Sequence, residues 1–110
     1  MIRLLFLFSL FVLTSCTYNE ISPCETNAPS FTDCVKPIFE QNCVMCHSSA
    51  VTRKLTTYEE IKEEVLNGKV IESIEKEKNE SGFMPLFDNK LTSQEIELIK
   101  NWKENGAPNN

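Results

Sequence analysis

Apolar residues occur in two patterns along this chain. At the start they are contiguous, with residues 4–13 apolar except for Ser9. From residue 30 onward they recur at helical spacing. Val35, Ile38, Phe39 and Asn42 stand at i, i+3, i+4 and i+7, which predicts a first helix over 33–42 with one largely apolar face. Asp33 or Thr32 is its expected cap, and Pro37 then falls near the first turn, where a missing N–H does least harm. A second helix starts after Thr57, where Thr57 and Glu60 form a capping box and Tyr58, Ile61 and Val65 share a face. Asn67-Gly68 ends it, with a glycine able to take the left-handed conformation. A third, over 70–78, is short and charged: Val70, Ile71 and Ile74 are its only apolar anchors, and Glu72–Lys76 is a favourable i, i+4 pair. The fourth is the best specified. Thr92 and Glu95 form another capping box, Leu91 can staple onto Ile96, and Ile96, Ile99 and Trp102 make the buried stripe with Leu98 at its edge. Gly106 and Pro108 close it. No run alternates with period two, so the expected class is all-α, about four short helices.

The contiguous apolar run is too short to span a membrane, which takes about 20 residues. With the basic Met1-Ile2-Arg3 ahead of it, it reads as an export signal. Leu13-Thr14-Ser15-Cys16 resembles the lipobox of bacterial lipoproteins; the resemblance implies removal of residues 1–15 and a lipid on Cys16. No inner-membrane retention signal follows the cysteine, which points to the outer membrane, facing the periplasm. Residues 16–29 are polar, contain two prolines and show no periodicity, so they are expected to form a flexible tether. The compact domain is then 30–110.

Export removes only Arg3 among the charges, leaving 10 basic and 16 acidic side chains, a formal −6. Such a surface disfavours nucleic acid and is compatible with a partner that has a positive docking face. A unit this small usually needs a covalent or metal staple.

Cys43-Val44-Met45-Cys46-His47 is a C-x-x-C-H run, the attachment site of a c-type haem. Two thiols at that spacing can both reach the vinyl groups on one edge of the macrocycle. The following histidine then lies under the iron. A thioredoxin-like redox pair would want a βαβ context, and a zinc site would want further Cys or His ligands at similar spacing. The chain has one histidine in total, and Cys16, Cys24 and Cys34 are not so spaced. Export and haem attachment are mutually consistent, because thioether haem proteins are assembled outside the bacterial cytoplasm. With Cys16 assigned to lipid and Cys43 and Cys46 to haem, Cys24 and Cys34 remain, and a disulfide between them is expected in an oxidising compartment.

The second axial ligand follows by elimination. A second histidine is absent. Met45 lies inside the attachment loop on the proximal side. Met84, in Ser81-Gly82-Phe83-Met84-Pro85, is the remaining thioether, with Pro85 favouring an extended backbone before it and Gly82 allowing close approach. Trp102 is expected in the core between the terminal helices, touching the haem edge.

The order of a helix carrying Val35-Lys36-Pro37-Ile38-Phe39, then C-x-x-C-H, then Met84-Pro85, then a terminal helix with Ile99-x-x-Trp102 and Gly106-Ala107 resembles a small monohaem cytochrome c. It is similar to the cytochrome c-like domains of bacterial lipoproteins. The resemblance covers about residues 30–108. It implies a cytochrome c fold with crossing terminal helices, one covalent haem c, and one-electron transfer between protein partners rather than catalysis. Two other readings stand beside it. One is a haem enzyme or gas sensor with an open or displaceable distal site, although Arg53 is the only arginine left after export. In that case Lys or Tyr58 would have to serve as the distal group. The other is a haem-bearing accessory subunit of a larger redox complex.

Overall fold

A computed structural model describes residues 24–49, 53–86 and 89–110. Among these residues the regular structure is helical and contains no strand. A π-helical segment, Phe31–Val35, runs directly into α1, Lys36–Asn42, followed by α2, Tyr58–Leu66, α3, Val70–Glu75, and α4, Ser93–Glu104. The export signal, Cys16 and most of the expected tether lie outside the described residues. No described helix is long and apolar enough to cross a membrane.

The first helix starts earlier than its apolar spacing predicts. Ser30, rather than Thr32 or Asp33, is the cap, and its hydroxyl accepts from the Asp33 N–H at 3.2 Å. The N–H groups of Val35 and Lys36 reach back five residues, to the carbonyls of Ser30 and Phe31. This wider turn lies immediately upstream of Pro37, whose ring would crowd the carbonyl of Asp33 in a regular α-helix.

The π-helical segment packs on α4. Trp102 is fully buried between them. Its ring centroid is 5.5 Å from that of Phe31, and Tyr58 meets both rings edge-on at 5.1 and 6.3 Å. The indole N–H donates to the Pro108 carbonyl at 2.9 Å, and the Tyr58 hydroxyl donates to the Ala107 carbonyl at 2.7 Å. Gly106, at φ 90°, makes this return possible. It closes a Schellman motif in which Gly106 N–H bonds Lys103 O and Ala107 N–H bonds Trp102 O. Asn110 then accepts from the N–H groups of Phe31 and Thr32. Both polar tips of the aromatic cluster are thus satisfied by the chain's last turn.

Both predicted capping boxes form, Thr57 with Glu60 and Thr92 with Glu95. Hydrogen bonds from the Thr56 hydroxyl and backbone hold the Glu60 carboxyl below its usual range. Leu98 is buried in α4 along with Ile99 and Trp102, while Ile96 is only half-buried, so the stripe is rotated from the predicted one. α3 stops at Glu75 rather than residue 78. No apolar side chain lies between Ile74 and Phe83 to reward a longer helix. Lys76 instead turns extended and donates to the Ser81 carbonyl at 2.8 Å. Residues 24–29 are not free of the domain. The Asn101 and Asn105 side-chain amides of α4 donate to the carbonyls of Thr26 and Asn27 at 2.7 and 2.9 Å. Cys24 and Cys34 are at disulfide distance, their Cα atoms 5.4 Å apart. The folded unit therefore takes in the last part of the expected tether, from Cys24.

Candidate functional site

α1 ends where the cysteine motif begins. Cys43 is its C-cap, and the chain then makes one further turn in which the N–H groups of Cys46 and His47 both donate to the Cys43 carbonyl, at 3.2 and 2.9 Å. That turn puts Cys43 and His47 on a common side. Both line a cavity of about 400 Å³, whose far wall is α3 through Val70, Ser73 and Ile74, and which Met84 also lines. The volume is in the range of small-molecule and cofactor pockets, roughly 300–1,000 Å³. Three of the residues singled out from the sequence are thereby brought to one space. Cys46 is exposed and does not line it, and Met45 is almost wholly exposed.

His47 is held from two sides. Its carbonyl accepts from Leu55 N–H at 2.9 Å, and its ring Nδ1 is 2.7 Å from the Arg53 carbonyl. A carbonyl can only accept, so Nδ1 carries the proton, and in the neutral ring the lone pair is on Nε2. This is the arrangement by which metal-ligating histidines are usually fixed in tautomer and orientation. Arg53 in turn pairs with Glu64 of α2 at 3.1 Å.

Cys43 differs from a redox-active thiol. Burial, with a smaller contribution from the neighbouring Cys46, pushes its pKa from 9.0 up to about 11. It also sits at a helix C-terminus, the negative end of the dipole. The attacking cysteine of a thioredoxin-like pair needs the opposite setting, a helix N-terminus and a depressed pKa. Among the described residues, no three or more His, Cys, Asp or Glu side chains are grouped so as to hold a metal ion.

Met84 is positioned by main chain and core. Its N–H donates to the Ser73 carbonyl of α3 at 3.1 Å, and the preceding Phe83 is buried. The Met84–Pro85 peptide is cis. Gly82 does not line the cavity; it is exposed, takes φ +85°, and a Cβ there would meet the Lys76 ammonium at 2.9 Å. Its role is therefore in the turn under Lys76 rather than close approach to a cofactor. Gly68 also departs from expectation. It is not left-handed, and it lies where a Cβ would stand 2.6 Å from the Glu64 carbonyl oxygen. Trp102 is not among the lining residues, and neither is Tyr58, whose hydroxyl is committed to Ala107.

No protein-family model, curated protein or solved structure matches this chain. The site is therefore read from its own residues. Sequence reasoning did not find the Arg53 carbonyl, Glu64, Gly68, Lys69 or Ser73. Main-chain acceptors leave no mark in a sequence, and Glu64 and Lys69 look there like ordinary charges on a helix and a turn.

Proposed function

We propose that this chain is a lipid-anchored monohaem c-type cytochrome that carries single electrons at the periplasmic face of a bacterial membrane. The observation that carries the reading is the convergence of Cys43, His47 and Met84 on one cavity, with His47 Nδ1 tied to the Arg53 carbonyl. The donor types fit a haem: a neutral imidazole with its Nε2 lone pair available, a thioether, and two thiols on one turn, of which Cys43 lines the cavity and Cys46 would have to turn inward. A haem bound there would supply a one-electron Fe(III)/Fe(II) couple. In this reading Cys43 and Cys46 would hold it by thioether bonds, and His47 and Met84 would ligate its iron.

What the chain contributes is positioning. α1 and the turn after it present Cys43 and His47 together. The Arg53 carbonyl fixes the imidazole tautomer. The Ser73 carbonyl and buried Phe83 hold the main chain of Met84 at the cavity wall. A thioether ligand would favour the reduced metal, and ligation by both His47 and Met84 would leave no position for substrate, which is why the reading is a carrier rather than an enzyme. The resemblance of residues 1–16 to a lipoprotein leader supports the membrane anchor.

The test is an absorption spectrum of the protein matured with c-type assembly machinery, taken oxidised, reduced, and reduced under carbon monoxide. The expected result is a low-spin reduced spectrum unaffected by carbon monoxide, with a sulfur-to-iron charge-transfer band in the oxidised form. A high-spin spectrum that shifts with carbon monoxide would replace the carrier with an open-site haem enzyme or sensor. A chain that acquires no haem would end the proposal.

A further inference from the structure

The cavity wall beside His47 contains an ion pair that the apolar face of α2 does not require. Glu64 precedes the fully buried Val65, and its side chain keeps 16 % of its surface exposed. Both carboxylate oxygens accept from Arg53 Nη1 at 3.1 Å. Gly68 makes room for this carboxylate, since a Cβ at that position would collide with it. Arg53 has a second connection: its main-chain carbonyl accepts from His47 Nδ1. The Arg53 side chain is otherwise mostly in water, 75 % exposed. Glu64 is thus the fixed point on α2 to which the residue holding the histidine is tied.

We propose that Glu64 is a positioning residue for His47. It holds Arg53 against α2, and through the Arg53 carbonyl it sets the strength of the Nδ1–H hydrogen bond and hence how strongly Nε2 donates to a metal. This rests on His47 being an axial haem ligand. A positioning role and a simple field effect agree for Glu64 and make opposite predictions for Arg53. Acting through the hydrogen bond, loss of either Glu64 or Arg53's side chain loosens the same carbonyl, weakens the imidazole as a donor, and favours Fe(II). Acting through their fields, loss of the anion favours Fe(II) and loss of the cation favours Fe(III).

The experiment is the midpoint potential of the haem-loaded protein and of its Glu64→Gln, Arg53→Gln and double variants, at one pH and ionic strength. The expected result is an upward shift in both single variants and a double variant no higher than either. Opposite shifts that cancel in the double, or no shift at all, would overturn the proposal. A second readout is independent of the redox couple. The protein has one histidine, so its Nδ1–H resonance in the reduced, diamagnetic form is unambiguous. Exchange of that proton with solvent should be about fivefold faster in both single variants, the scale expected for losing a largely exposed pair. Unchanged exchange would count against the positioning role. Failure of the underlying reading would be seen separately, in a wild-type spectrum lacking histidine–methionine ligation.

Discussion

At the scale of single residues, the two sulfur types in the cavity make separable predictions. If Met84 ligates the iron as proposed, Met84→Ala should lower the midpoint potential of the haem-loaded protein and admit carbon monoxide to the reduced iron, because the ligand favouring Fe(II) would be gone. A variant with the wild-type spectrum and potential would remove Met84 from the ligand set. Cys43 and Cys46 should differ before attachment. In the haem-free chain at pH 8, iodoacetamide should label exposed Cys46 first, since Cys43 is half-buried and, with a pKa of about 11, holds only about one thiolate in 10³. Equal rates would mean that the cavity does not form ahead of its cofactor. Stability follows the same group. In the haem-free chain, between pH 9.0 and about 11 the unfolded state releases the Cys43 proton and the folded state keeps it. Rising pH therefore favours unfolding across that window. Cys43→Ala should flatten that part of the thermal-midpoint profile.

At the scale of elements, the sequence was most legible where periodicity and a cap coincide. Thr57 and Thr92 each stand three residues before a glutamate and at the head of a segment that carries an apolar stripe, and both boxes form as read. It was least legible where a local irregularity overrides the repeat. The π-helical turn before Pro37 shifts the helix start to Ser30, a residue whose capping role no apolar periodicity reveals. Ser30→Ala should therefore cost about 1 kcal/mol in denaturant unfolding, and Thr32→Ala, at an exposed position inside the helix, a few tenths at most. The reverse order would restore the later start. The cavity was partly legible too. C-x-x-C-H and Met84 are visible as types and spacings, but the turn that exposes Cys46 while turning Cys43 inward depends on the main chain. So does the acceptor that fixes His47.

At the scale of the whole molecule, closure and charge are the two properties that no single element carries. The chain closes on itself where Asn110 meets the start of the π-helical segment and residues 24–29 lie on α4. A Cys24–Cys34 bond across a separation of 10 would reinforce that junction by about 3 kcal/mol on the loop-entropy scale. Mass spectrometry of alkylated protein, with and without reduction, should show two further alkyl groups only after reduction, and reduced protein should unfold at lower denaturant.

Charge would govern how the proposed carrier meets its partners. The full chain carries 16 acidic against 11 basic side chains, and haem propionates would add to the negative excess. The cavity rim differs from this average. Arg53 and Glu64 largely cancel each other there, and Lys69 remains as a cation among the lining residues. Range decides which is felt. At about 0.01 M salt the screening length is about 30 Å, so an approaching reagent responds to the whole acidic molecule; at 0.1 M it is about 10 Å, and the rim weighs more. Oxidation of the reduced protein by a cationic cobalt(III) complex should therefore outpace oxidation by ferricyanide at low salt, once each rate is corrected for driving force. The advantage should shrink as salt rises, and Lys69→Gln should restore part of it near 0.1 M by removing the local cation. A ferricyanide rate that exceeds the cobalt rate at low salt would mean that electrons leave through a positive face, and the partner would then be sought among acidic rather than basic surfaces.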